Sequence, residues 1–294
     1  KLKPEPECIP CMLAVRLREV TESNLDPEVK VEVMVSLLKQ FSEQIPLEKD
    51  LPVIATRLFR YVKEATSCKD PYSAAKKRMN TLALNALPEV RLIVEAKKDP
   101  YEGFRTACIA SIVGNVIDPG VTGHIFNLEG LVGLVKEATL SVDDTRRIFD
   151  ALKETRHVLF LCDNAGEIAF DTLLVEEIKR FKTRVTVVVK EGPYQNDATL
   201  EDAYTVGMDR VADELITTGT DASALLLDDY SQRFHEGLKQ ADLVILKGMA
   251  YYETVEALRK AFHKKIAVLL RVKCRPVAKT LKVEKDANVA LLLE

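Results

Sequence analysis

The chain has 294 residues, 47% hydrophobic and 30% charged, with 42 Lys and Arg against 45 Asp and Glu for a formal net charge of −3. That length holds one large domain or two unequal ones around a sizeable core, and without a dense Lys/Arg stripe the balance argues against nucleic acid as the main partner. No apolar run reaches the roughly 18–20 residues that span a bilayer and no signal-peptide pattern opens the chain, so no membrane partner and a cytoplasmic location are expected.

The chain opens on Lys1 rather than Met, which points to missing leading residues. Near it lies Cys8-x-x-Cys11, a lone pair without a second CxxC to complete a zinc set. Packing is favoured there over a redox or auxiliary metal role, with Cys274 in VKCRP a candidate to approach it. Cys68, Cys108 and Cys162 read as small buried hydrophobes.

The first half reads as helical. Asp-Pro recurs at Asp26-Pro27, Asp70-Pro71, Asp99-Pro100 and Asp118-Pro119, and an Asp N-cap followed by Pro at the first helical position is a start signal. Helices are predicted over Cys11–Thr21, Pro27–Gln44, Lys49–Thr66, Pro71–Leu87, Pro100–Val116 and Val142–Lys153. Leu13, Leu17 and Val20 keep helical spacing, as do Val31, Met34, Leu38 and Phe41. No strand-like alternation competes before residue 155. Tyr72, Lys76 and Asn80 share one helix face, a solvent-facing stripe unless the helices cover a binding edge. Asn115 and Asp118, in GNVIDPG, have the same two readings, with a turn role favoured. Lys76–Arg78 and His263–Lys265 read as solvated helix faces.

The second half changes period. Apolar runs at Val158–Cys162, Arg184–Val189, Leu215–Thr217, Leu243–Leu246, Ile266–Leu270 and Val289–Leu292 alternate with amphipathic segments at Ile168–Phe181, Ala222–Leu238 and Tyr252–His263. This repetition predicts right-handed crossovers and a mostly parallel sheet. The fold class is therefore α/β: a helical part over residues 1–153, packed on a Rossmann-like core over 154–294.

In such sheets ligands bind beyond the carboxyl ends of the strands. Asp163 and Asn164 follow the first run, and Asp197 follows the second through a short loop. Two carboxylates and an amide oxygen suit a hard divalent cation and leave coordination positions open for water and substrate; equally, these residues could cap the helices that follow. Gly166 permits a close backbone approach, and the helix starting near Glu167 aims its amino end at the same edge. Glu167 could be a base or an orienting group, or could simply complement the helix dipole. Lys247 and Lys273 follow strands and fall on this edge, where they could stabilise phosphoryl charge or be solvated strand ends. Neither G-x-G-x-x-G, G-x-x-x-x-G-K-[ST] nor G-x-S-x-G occurs, which disfavours the standard nucleotide and serine-hydrolase readings.

Taken in order, ECIPC, DPYSAAKKRMN, GNVID, DNAGE at Asp163–Glu167, PYQNDAT, KG at Lys247-Gly248 and KCRPVA at Lys273–Ala278 resemble the damage-control phosphatase family, long catalogued as domain of unknown function 89. The likeness is to its stand-alone microbial branch with amino-terminal cysteines, and it spans nearly the whole chain. The resemblance implies a helical part on a Rossmann-like core and a divalent metal (Mn²⁺, Ni²⁺, Co²⁺ or Mg²⁺) held by Asp163, Asn164 and Asp197. It also implies hydrolysis of phosphate monoesters of small metabolites, including sugar phosphates and damaged phosphometabolites. Asp163, Glu167 and Lys247 are then the catalytic candidates, and Lys273, Lys76 and Asn115 the substrate-binding ones. One departure is Tyr251, which stands where the family reads Asn. A carboxyl methyltransferase using S-adenosylmethionine is the alternative enzyme, because a family relative has that assignment; a non-catalytic metal- or metabolite-binding protein is the third reading.

Overall fold

The computed structural model describes residues 5–45, 50–117 and 128–294. In chain order the helices are α1 (Cys8–Thr21), α2 (Pro27–Gln44), α3 (Leu51–Ala65), α4 (Ser73–Glu95) and α5 (Pro100–Val113), followed by a 3-10 turn (Gly114–Ile117) and α6 (Leu128–Glu137). The α/β part runs β1 (Leu140–Asp143), α7 (Thr145–Leu152), β2 (His157–Leu161), α8 (Glu167–Lys179), β3 (Arg184–Val189), α9 (Leu200–Thr205), α10 (Met208–Val211) and β4 (Glu214–Thr217). It closes with α11 (Gln232–Gln240), β5 (Leu243–Lys247), α12 (Met249–Phe262), β6 (Lys265–Arg271), α13 (Arg275–Leu281) and β7 (Asn288–Leu293).

The strands form one seven-stranded sheet in the order β1-β7-β6-β5-β2-β3-β4. Every pairing is parallel except β6 with β7. From the central β2 the chain builds outward through β3 and β4, then returns to the other side of β2 to place β5 and β6. The gap between β2 and β5 is thus a topological switch point, where a crevice opens at the carboxyl ends.

Helices cover both faces, so the strands carry no polar alternation. In β2, Val158 and Phe160 pack beneath α4, α5 and α8, while Leu159 and Leu161 pack beneath α11, α12 and α13. Each such side chain, fully removed from water, contributes about 1.5–3 kcal/mol. Helices α1–α3 have a separate core of their own, which includes Val20, Leu37, Ile54, Leu58 and Val62. They dock on the rest through a small aromatic cluster of Phe59, Tyr72 and Tyr194. An ion-pair clasp adds to this: Asp221 takes Arg60 Nη2 and Lys63 Nζ, each at 2.6 Å.

The expectations need several corrections. Leu140–Asp143, inside the half expected to be all helical, is strand β1, and only Thr145–Leu152 of the predicted Val142–Lys153 helix forms. Helix α4 does not stop before Pro88 but runs on to Glu95; burial of Ala86, Val90 and Val94 offsets the backbone bond that Pro removes. On α2 the buried stripe is Val33, Leu37 and Phe41, leaving Val31 and Leu38 exposed. The Ala222–Leu238 segment is helical mainly over Gln232–Gln240, after a 3-10 turn at Leu227–Asp229. Of the Asp-Pro starts, Asp99 caps α5 by accepting from the Tyr101 N–H at 3.0 Å, and Asp70 accepts from the Tyr72 N–H at 3.0 Å just ahead of α4. Asp118 and Lys49 lie outside the described residues. No described helix is long and apolar enough to cross a membrane.

Candidate active site

Two loops meet beyond β2 and β3. The Ala165 N–H donates to the Asn196 carbonyl oxygen at 2.9 Å, and the Ala198 N–H to the Asp163 carbonyl oxygen at 2.8 Å. Between these bonds Asn164 and Asp197 pair as an isolated antiparallel bridge. The backbone thus locks Asp163, Asn164 and Asp197 side by side at the switch point.

Side chains from three elements converge on them. Asn115, in the 3-10 turn after α5, donates from Nδ2 to Asp163 Oδ2 at 2.9 Å and to Glu167 Oε2 at 2.6 Å. Asn164 Nδ2 reaches the same two oxygens at 2.8 and 3.2 Å. Asn115 Oδ1 is buried without a hydrogen-bond partner. Gly248, after β5, comes so close that a Cβ there would stand 2.1 Å from Asp163 Oδ2. Gly166 opens α8 at φ +75°, and its N–H donates to Asn80 Oδ1 at 2.7 Å.

Beneath this layer Lys247 is 0% and Glu167 1% exposed. The Lys247 ammonium donates to Glu167 Oε1, to Asp171 Oδ1 at 2.8 Å and to the Ser111 carbonyl oxygen at 3.0 Å, which uses all three of its N–H donors. Burial pulls its pKa down, but Asp171 and Glu167 outweigh that and hold it above the ordinary value. Burial pushes Asp171 up to about 6 against the pull of Lys247. Asp163 is raised well above the carboxylate range, first by burial and then by the like charges of Glu167 and Asp197.

These features fit a divalent cation. The donors are hard oxygens, and the crowding of negative charge around Asp163 is what such an ion would offset. Among the described residues no three of His, Cys, Asp and Glu cluster as a metal centre; the candidate set has two carboxylates and one amide.

Residues 5–289 match the family described as the damage-control phosphatase ARMT1-like domain. The chain belongs to this family. A damage-control phosphatase of Archaeoglobus fulgidus is 38% identical over 296 residues, covering 100% of both chains. An uncharacterized protein of Methanocaldococcus jannaschii is 34% identical over 293 residues, 99% of this chain and 95% of that one. A damage-control phosphatase of Pyrococcus horikoshii is 30% identical over 292 residues, 99% and 98% of the two chains. A crystal structure of a DUF89 family protein from Pyrococcus horikoshii superposes with a TM-score of 0.86 at 29% identity, over 99% of each chain.

In this damage-control phosphatase fold, Asp163, Asn164, Glu167, Asn115 and Lys247 form one connected network. Lys273 lies near enough to Asp163 for its charge to pull that carboxyl's pKa down, while its backbone N–H meets Met249 Sδ at 3.1 Å. Lys76 stands further back. Its ammonium pairs with Asp70 at 3.0 Å and Asp202 at 3.3 Å, and Asn80, bonded to Asp202 at 2.8 Å, links that pair to Gly166. The face of Tyr72, Lys76 and Asn80 is therefore buried, not solvated. Cys274 does approach Cys8 and Cys11: burial is the main force raising Cys274 to about 11, and both amino-terminal thiols add to it.

Two residues escaped the sequence reading. Lys190, 1% exposed at the end of β3, donates to the Ala222 carbonyl oxygen at 2.5 Å and sits 3.7 Å from Asp197 Oδ2. Burial lowers its pKa, with Asp197 and Asp163 opposing. Its signal was a lysine straight after VTVVV, the same cue that marked Lys247. Asp171 lies one helical turn beyond Glu167 and shares Lys247 with it; the i, i+4 spacing on α8 was visible.

Proposed function

We propose that this chain is a metal-dependent phosphatase that hydrolyses phosphate monoesters of small metabolites, sugar phosphates or damaged phosphometabolites among them. Asp163, Asn164 and Asp197 would hold a divalent ion (Mn²⁺, Ni²⁺, Co²⁺ or Mg²⁺), which when bound supplies charge neutralisation and orientation at the phosphoryl group. The observation that carries the reading is the backbone pairing of these three residues at the switch point, in a chain of this family.

The remaining roles follow from the network. Lys247 is a positioning residue: with all three donors committed, it holds the Glu167 carboxylate in place instead of reaching a ligand. Glu167, tied also to Asn115 and Asn164, is thereby aimed at the edge as a proton acceptor or orienting group. Lys273 adds positive charge beside Asp163, and the amino end of α8 adds the positive end of its helix dipole for phosphoryl oxygens.

The test is phosphate release from a panel of sugar and nucleotide monophosphates by EDTA-stripped protein, with Mg²⁺, Mn²⁺, Co²⁺ or Ni²⁺ restored, beside Asp163→Ala. Turnover that returns with metal and disappears in Asp163→Ala is the expected result. Metal binding without turnover on any ester would sink the phosphatase reading and favour a binding role.

A further inference from the structure

Helix α2 packs mainly against α1 and α3, burying Val33, Leu37 and Phe41. The opposite face of a helix that meets only water is normally polar. Here it carries Val31, Val35 and Leu38, which are 64%, 46% and 48% exposed. Their i, i+4, i+7 spacing is that of the a and d positions of a coiled-coil seam. Valine is a weak helix former, and a side chain left in water adds nothing to the core, so the stability of this chain alone does not account for the row. A contiguous apolar row of this kind marks an interaction face.

The charges beside the row specify what covers it. Glu32 and Lys39 each follow an apolar member of the row by one position, so they stand on the same edge of it, and both are exposed. Among the described residues neither has an ion-pair partner. When a second copy of α2 lies along the first, turned end for end about a two-fold axis beside Val35, Val35 meets its own mate and Val31 lies against Leu38 of the second copy. Each Glu32 then faces a Lys39, and symmetry forms both ion pairs at once. A parallel arrangement forms neither, because it turns this charged edge toward the opposite one, where Met34 stands.

We propose that the outer face of α2 is a self-association surface on which a second copy of this chain docks antiparallel, giving a two-fold dimer. The proposal is independent of the phosphatase reading, because α2 contributes no residue to the candidate site. A single pair of helices buries less than the roughly 1,200 Å² of a stable complex. The dimer is therefore reversible, with a dissociation constant on the order of micromolar.

Sedimentation equilibrium of the full chain, from about 1 to about 500 µM, tests it, with melting temperatures taken at the lowest concentration. Wild type should pass from monomer to dimer across that range. Val35→Lys brings two like charges together at the axis and should leave a monomer throughout. Glu32→Lys turns both attractions into repulsions and should weaken association on the order of tenfold. Adding Lys39→Glu restores opposite charges and should return the affinity to within about threefold of wild type. These are surface changes, so all three variants should melt as wild type does. A wild type still monomeric at about 500 µM overturns the proposal and leaves the face to a different protein. So does a dimer that Val35→Lys leaves intact, or a double variant that associates no more tightly than Glu32→Lys.

Discussion

Gly248 and Asp163 touch so closely that the glycine's missing Cβ is what lets the carboxylate occupy its place: the carbon would lie 2.1 Å from Oδ2 and 2.6 Å from Oδ1. Gly248 also holds φ +86° and ψ 170°, a region that is essentially glycine-only. Gly248→Ala should cost about 1–3 kcal/mol of stability from backbone strain. The displaced Asp163 should cost more in activity than the strain costs in folding. Urea denaturation beside ester turnover would separate the two, and near-wild-type turnover would count against Asp163 as a central group.

Lys247 sets a second test. Replacing it with Met leaves Glu167 and Asp171 buried without their cation, and removing one partner of a buried pair costs about 3–5 kcal/mol. Adding Asp171→Asn should restore part of that loss, because one uncompensated carboxylate disappears. If the double variant proves no more stable than Lys247→Met, the coupling drawn here between Lys247 and Asp171 is wrong.

Glu253 predicts a pH dependence. Burial raises its carboxyl from the ordinary 4.5 to about 7, so the folded chain prefers it protonated. Its favourable contribution is complete below about pH 4.5 and is lost as pH rises through 7. Glu253→Gln, which stays neutral, should match wild type at pH 4.5 and exceed it at pH 8 by on the order of 3 kcal/mol. Equal stability differences at both pH values would show that Glu253 titrates normally.

The Asp221 clasp governs how α1–α3 stay docked. Asp221→Ala releases Arg60 and Lys63 and, for pairs at a partly exposed site, should lower stability by about 1 kcal/mol. Amide exchange should accelerate in α3 while β2 and β5 remain protected, because local opening follows the weakest attachment. Uniform acceleration across the sheet would mean that α1–α3 and the sheet open together.

The strongest part of the sequence signal was the unbroken apolar run. Val158–Cys162 and Arg184–Val189 read as buried strands because their apolar residues run on without strand-like polar alternation, and that puts Asp163, Asn164 and Asp197 on one edge from the sequence alone. Strand β1 was not legible, since four residues reading LSVD carry too little pattern. The burial of Lys76 and Lys190 was hidden as well. A lysine normally signals solvent, and what keeps these two inside is a partner distant in the chain: Asp202 for one, Ala222 and Asp197 for the other. Helix α2 misled through chemistry, because Val31 and Leu38 satisfy helical spacing yet face outward.

Strand β7 has a consequence for biogenesis. It lies between β6 and β1, antiparallel to the first and parallel to the second, so residues 288–293 join segments laid down more than a hundred residues apart, at 140–143 and 265–271. While a ribosome is still making the chain, β1 has no neighbour in the sheet and β6 keeps an open edge. Nascent molecules therefore carry unpaired strand edges until residues 288–293 have emerged. During that interval, chaperone capture and edge-to-edge association compete with completion of the sheet.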